Sequence, residues 1–255
     1  MFTTEKYIEN RKRLKGLIKS GIIFFPGSVE TPMNYGANIY RFRQDSSFLY
    51  YWGLDAPNLA AIIELENDKE IIFGDDREID DVVWMGPEEP LAERAKRVGV
   101  QNTEPFNNID DALQSGLKNG RKVHFLPQYQ AEIKLQFASW LGIRPRSIND
   151  YSSKELIKAV VSQRSIKSDT EVVQIEEALA ISYEMNILAM KFSQPGIIER
   201  EVFGAVEGLA LGMGSGVSFP IIFSVHGETL HNHHHDNEMK DGDILVLDSG
   251  AESTL

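Results

Sequence analysis

The hydrophobic pattern changes character near Gln163, and that change limits what the chain can fold into. Upstream, short apolar runs alternate with amphipathic stretches. Residues 7–19 predict an opening helix with Ile8, Leu14, Leu17 and Ile18 on one side, capped by Gly21. Residues 22–25 read as a short buried strand ended by Pro26-Gly27. Residues 47–54 are aromatic-rich and strand-like. Residues 59–65 and 70–73 flank Asn67-Asp68, a hairpin signal, and 123–126 predict a further strand. Residues 156–161 read as the end of a helix. Such alternation is mixed α/β.

Downstream, Ser168 followed three residues later by Glu171 fits a capping box, in which the two side chains satisfy free N–H groups at a helix start. Ile175, Ala178, Leu179, Ser182 and Met185 form a narrow stripe at helical spacing, so the helix should run to about Ser193 and stop at Pro195-Gly196. A second helix carries Val202, Ala205, Val206 and Leu209 on one face and ends at the glycines at 212, 214 and 216. Residues 219–225 and 244–247 read as strands, the latter buried, with a polar loop between them. The expected boundary lies at about residues 162–168, giving domains 1–165 and 166–255. A length of 255 residues accommodates two modest domains.

Composition removes several function classes. Acidic side chains outnumber basic ones 38 to 26, and the net charge of −12 argues against a nucleic-acid backbone as partner. Cysteine is absent, which excludes disulfides, thiolate catalysis and cysteine-ligated zinc. The first fifteen residues are polar and lack the apolar core of a signal peptide. No stretch approaches the length of a membrane span. A cytoplasmic protein is the expectation.

Two constellations offer chemistry. Five of the six histidines lie between 226 and 235: His226, His231, His233, His234 and His235. Histidine supplies a neutral nitrogen ligand and a proton shuttle near neutral pH. In an extended segment, 231, 233 and 235 would share a face; in a helix, 231 and 235 would. A histidine-rich solvated loop is the plain alternative, and adventitious metal binding at 231–235 a minor one. The second constellation is Asp243-Ile-Leu-Val-Leu-Asp248-Ser-Gly250-Ala-Glu252. Its apolar run delivers Asp248 to a strand end, and Gly250 lets another backbone or an ion come close. From spacing alone, the reading of Asp248 as a turn cap is the stronger one. There is no HExxH, GxSxG or Walker signature. Gly212-Met-Gly214-Ser-Gly216 follows a helix, the wrong context for dinucleotide binding, and reads as a flexible connector.

Together these segments resemble the Xaa-Pro aminopeptidases (aminopeptidase P) of the pita-bread metallopeptidase superfamily. Residues 40–53, Tyr-Arg-Phe-Arg-Gln-Asp-Ser-Ser-Phe-Leu-Tyr-Tyr-Trp-Gly, look like the N-domain signature. Arg164-Ser-Ile-Lys167-Ser168, continuing through Glu171 and Ile175, looks like the opening of the catalytic domain. Leu230-His231, Met239-Lys-Asp241-Gly242-Asp243 and Leu247-Asp248-Ser-Gly250-Ala-Glu252 look like the approach to the first metal ligand.

The resemblance implies a creatinase-type N-terminal domain, a mixed sheet with flanking helices, followed by the first part of a pita-bread domain. It implies that Asp248 is the first of five metal ligands, that His231 sits beside the substrate as a catalytic and substrate-binding residue, and that Trp84 helps close an active site; it leaves His233 without a role. It further implies two divalent ions of the Mn or Co type, substrates with proline at the second position, and a homo-oligomer built through the N-terminal domain, with neither nucleic acid nor membrane as partner. The remaining ligands of the pattern lie beyond Glu252, so this chain by itself is expected to bind no metal at that site and to be inactive, as a fragment of a longer parent. A prolidase- or creatinase-like enzyme and a non-catalytic interaction module are the alternatives.

Overall fold

The computed structural model describes residues 2–253. They form two compact units, Phe2–Ile166 and the stretch from Lys167 onward. The first runs α1 (Thr4–Leu17), β1 (Ile22–Pro26), the small hairpin β2 (Pro32–Tyr35) and β3 (Asn38–Ile39), then α2 (Ser46–Trp52). There follow β4 (Ala60–Glu64), β5 (Lys69–Phe73), α3 (Ile79–Met85), α4 (Leu91–Arg97) and β6 (Asn102–Glu104). It closes with α5 (Ile109–Lys118), β7 (Val123–His124), α6 (Ala131–Leu141) and α7 (Lys154–Ser165).

Its sheet has the order β6-β5-β4-β1-β7. β4 and β5 form the hairpin expected at Asn67-Asp68, and Asp68 takes the positive φ of 49° that such a turn requires. β1 pairs antiparallel with β4 and parallel with β7, and all five of its residues are buried. The strand period of two then sorts side chains onto two faces. Ile23, Phe25, Ala61 and Ile63 join α1, α2, α4 and α7 in one core. Ile22, Phe24, Ala60 and Ile62 join α5 and α6 in the other.

Two local expectations change in this unit. Residues 47–54 form α2, not a strand. Asp45 Oδ1 accepts from the Ser47 and Phe48 amides at 2.8 and 2.9 Å, capping the helix, and Gly53 ends it at φ 62°. Phe48, Tyr51 and Trp52 then fall on one face at helical spacing and are fully buried. In α1 the buried face is Tyr7, Asn10, Arg11 and Leu14, while Ile8 and Leu17 are exposed. The helix ends on extended Ile18 rather than on Gly21. An apolar stripe misreads this helix because a cation occupies its buried side. The Arg11 guanidinium donates to Glu70 Oε2, Tyr51 O and Val98 O, each at 2.8 Å, and lies 5.1 Å from the Trp52 ring centre.

The second unit consists of α8 (Asp169–Phe192), α9 (Glu199–Met213), β8 (Ile222–Ser224) and β9 (Val246–Asp248). The capping box forms as expected: the Ser168 amide donates to Glu171 Oε2 at 2.9 Å. The buried line of α8 is Ile181, Met185 and Ala189, against Val202, Val206 and Ala210 of α9. Ile175 and Leu179 of the expected stripe are exposed, because packing engages the C-terminal half of the helix. The buried strand expected over 244–247 is also corrected. Ile244 is 83% exposed, and β9 starts at Val246 with partly covered side chains. Among the described residues β9 pairs with β8 alone, so one edge gains no cover.

Buried His124 supplies a pH test of the first unit. Its Nε2 lies 3.1 Å from the Ser20 carbonyl and its Nδ1 2.7 Å from Ser153 Oγ. A carbonyl can only accept, so the proton sits on Nε2, and Nδ1 accepts from the Ser153 hydroxyl. Burial holds the ring below its usual pKa of 6.5. Its stabilisation is therefore complete above pH 6.5 and is lost as pH falls below that value. Urea midpoints should drop on acidification through this window, and His124→Gln should flatten the dependence. Separately, Arg11→Ala removes the donor to Glu70 Oε2 and to two carbonyls, leaving Glu70 with Lys15 at 3.1 Å, and should cost about 3–5 kcal/mol by urea unfolding.

Candidate functional site

Asp248 is the last residue of β9, paired with Ile222, and its side chain is exposed. The chain beyond it is fastened to the turn that follows α9. The Ser218 amide donates to Gly250 O at 2.9 Å, the Glu252 amide to Gly216 O at 2.9 Å, and the Ser215 amide to Glu252 O at 3.0 Å. Ser182 Oγ of α8 accepts from the Ala251 amide at 3.1 Å. Close approach requires glycine on both sides: a Cβ on Gly250 would lie 2.6 Å from Ser218 Oγ, and one on Gly214 would lie 2.4 Å from Glu252 O. The triple-glycine stretch, expected to be a flexible connector, is therefore a fixed support for the strand end. Its backbone groups are used as a ladder.

The histidine segment is clamped at its ends and open in its middle. Glu199, the first residue of α9, is fully buried. Its carboxylate accepts from the Val225 amide at 2.7 Å and from the Asn237 amide and side chain at 3.3 and 3.0 Å. His235 stacks on Phe203 with ring centres 4.3 Å apart, and its Nδ1–H donates to Phe223 O at 2.9 Å. The Arg200 amide donates to His235 O at 2.8 Å, and its guanidinium pairs with Asp236 at 2.7 Å. Between the clamps, Asn232 Nδ2 and the His226 amide both donate to buried Ser224 Oγ at 3.0 Å.

His226, His231, His233 and His234 are exposed, whereas His235 is half-buried and committed to Phe203 and Phe223. Residues 231, 233 and 235 therefore do not act as one face. Among the described residues, no three His, Asp or Glu side chains come together as a group able to hold a metal. Asp248 is one carboxylate, and hard divalent ions need several oxygen ligands. These residues do not themselves make a metal centre.

Trp84 lies in the first unit on α3, where it is 86% exposed beside exposed Ile79, Val83 and Met85. α3 buries no residue. It is held at its ends, by the Glu78 amide donating to Asp81 and by Arg77 Nη1 donating to the Met85 and Gly86 carbonyls at 3.0 and 2.7 Å.

Glu199, Ser224 and Asn237 escape sequence reasoning, and Ser182 is read there only as part of a helical stripe. An acidic residue at a helix start is ordinary on any surface helix, so nothing local marks Glu199 as buried. Its removal should be felt at both clamps. Glu199→Ala leaves three N–H donors without acceptors, each worth about 1–3 kcal/mol when buried. Hydrogen exchange at Val225 and Asn237 should accelerate at least about tenfold, while exchange in α5 and β4 stays unchanged.

Residues 7–124 match the family model for the aminopeptidase P N-terminal domain, and residues 173–254 match the model for metallopeptidase family M24. The chain is 24% identical over 256 residues to the probable Xaa-Pro aminopeptidase pepP of Aspergillus niger, covering 96% of this chain and 53% of that protein. It is 24% identical over 251 residues to Xaa-Pro aminopeptidase 3 of Rattus norvegicus, covering 89% and 47%. It thus spans about half the length of these relatives. Aminopeptidase PepP of Pseudomonas aeruginosa superposes with a TM-score of 0.83 at 22% identity, over 99% of this chain and 60% of that one. Aminopeptidase P from E. coli gives 0.82 at 22%, over 98% and 59%; likenesses at this identity establish fold. The two matches, in this order, show an aminopeptidase P N-terminal domain followed by part of a family M24 metallopeptidase domain.

Proposed function

We propose that this chain is part of a metal-dependent Xaa-Pro aminopeptidase, which removes the N-terminal residue of a peptide whose second residue is proline. The observation that carries the reading is the pair of family matches in catalytic order, joined to a strand end at Asp248 that is rigidly supported yet exposed. We assign Asp248 as one ligand of a centre of two divalent ions, Mn or Co, whose other ligands are not among the described residues. Such ions would supply a Lewis acid and a water of lowered pKa. His231 is exposed on a loop fixed at both ends, and we assign it to bind the substrate and stabilise charge developing at the reacting carbonyl. Proline gives the substrate a tertiary amide with no N–H and a fixed shape, which calls for a dedicated site.

Trp84 is assigned to substrate closure and, with the rest of bare α3, to contact between copies of the protein. An exposed run of Ile79, Val83, Trp84 and Met85 on a helix pinned by polar caps is apolar surface held ready for cover. Among the described residues no helix is long and apolar enough to cross a membrane.

The test is Mn²⁺-supported hydrolysis of an Xaa-Pro-Xaa tripeptide by this chain and by a protein of the relatives' full length containing it. The longer protein should cleave, Asp248→Ala should abolish cleavage, and His231→Ala should lower kcat by about 10²–10³-fold. Cleavage confined to Xaa-Pro dipeptides would instead assign a prolidase. Absence of any cleavage would leave the N-terminal unit as an interaction module. For the oligomer, Val83→Ser/Trp84→Ser should shift the sedimentation of the longer protein toward monomer; an unchanged coefficient removes α3 from the interface.

A further inference from the structure

In the first unit, β1 and β7 run parallel and are adjacent, with Ile22 beside Val123 and Ile23 beside His124. The pairing ends at Ile23 and His124, and the strands part beyond this point. Their continuations lead to opposite faces of the sheet. The chain after β1 leads to α2, in the core with Tyr51 and Trp52, and the chain after β7 leads to α6, in the core with Phe137 and Trp140. Crevices outside the carboxyl ends of parallel strands that diverge in this way are where open α/β sheets take ligands. A cavity of about 320 Å³ lies there, between the segments after β1 and β7 and helices α2, α6 and α7.

The walls are built and held. Gln44, fully buried, accepts from the Ser28 and Asp45 amides at 2.6 and 2.9 Å and donates to Ala56 O at 2.7 Å. This fixes the two segments that carry Ser28 and Asp45 to the cavity. The floor is apolar, with Phe24, Leu126, Ile133, Ile157 and Val160. Among the described residues that line it, Asp45 alone is charged. Asp45 spends Oδ1 on the amides of α2, while Oδ2 takes one bond, from Tyr129 OH at 3.2 Å, and keeps capacity for a second donor. Arg164 reaches Ser47 Oγ at 3.2 Å but does not line the space. The aromatic segment 40–53 thus supplies, in Asp45 and Ser47, a wall braced by Gln44 that the proposed peptidase chemistry does not use.

We propose that this crevice is a binding site for a compact apolar molecule bearing one ammonium group, the apolar body on the Ile133–Val160 floor and the ammonium on Asp45 Oδ2. The reading stands independently of the peptidase assignment. The probe set is phenethylamine, phenethyl alcohol and phenylpropionate, titrated into the full chain with methyl-labelled Ile and Val and followed by NMR. Phenethylamine should shift the Ile133, Ile157 and Val160 methyls saturably and bind about tenfold tighter than the alcohol, with the carboxylate weakest. Asp45→Asn keeps the helix cap, since Asn caps as well as Asp, and should bring amine and alcohol to within about twofold. Val161→Trp, at an exposed position on the rim, should block all three without unfolding the chain. The proposal is overturned if these methyls show no saturable shift, if the alcohol or carboxylate binds as tightly as the amine, or if binding survives Val161→Trp.

Discussion

A single buried cation organises the N-terminal unit. The Arg11 side chain has no exposed surface, and burial pulls its pKa down while the Glu70 carboxylate opposes that shift. An ionised group in such a place is tolerated only when its donors are used. Here they are spent on Glu70 in β5, the Tyr51 carbonyl in α2 and the Val98 carbonyl after α4, while its face meets Trp52. One side chain on α1 therefore sets the distance of three other segments. The Asn10 amide adds a bond to Tyr50 O at 3.0 Å, and Gln163 reaches back from α7 to Asn10 O at 2.9 Å. This face of the sheet is specified by polar geometry laid over an apolar core.

The second unit repeats the device with the opposite charge. Glu199 is buried, and its carboxylate is answered by N–H groups from Val225 and Asn237. Those bonds close a loop on itself at residues 225 and 237 and leave His226, His231, His233 and His234 exposed. The same economy appears at Asp248, whose strand end is held by backbone pairing from Ser215 to Ser218 while the carboxylate stays free of the support. Rigid backing with exposed functional groups is the arrangement a site needs when its geometry must be kept without consuming its chemistry.

Legibility followed the range of the physics involved. The β4–β5 hairpin, buried β1 and the capping box at Ser168 could be read because turn dihedrals, strand burial and cap hydrogen bonds depend on a few neighbouring residues. Residues 47–54 were misread because aromatic richness suits a strand as well as a buried helix. The decision came from Asp45 and Gly53, which cap a helix at each end. The α1 face was misread because a buried arginine looks like a surface arginine until its acceptors, 40 to 87 residues away, are known.

The sequence by itself determined the mixed α/β character, the positions of the hairpin and the main helices of the second unit, and the arrival of Asp248 at a strand end. All of these follow from periodicity and local capping. Tertiary structure alone decided which polar groups are buried, that the glycines after α9 form a support, that the histidines do not converge, and that β1 and β7 open a crevice. Each of these depends on partners far apart in the chain, whose meeting is set by packing and by the need to satisfy every buried polar group.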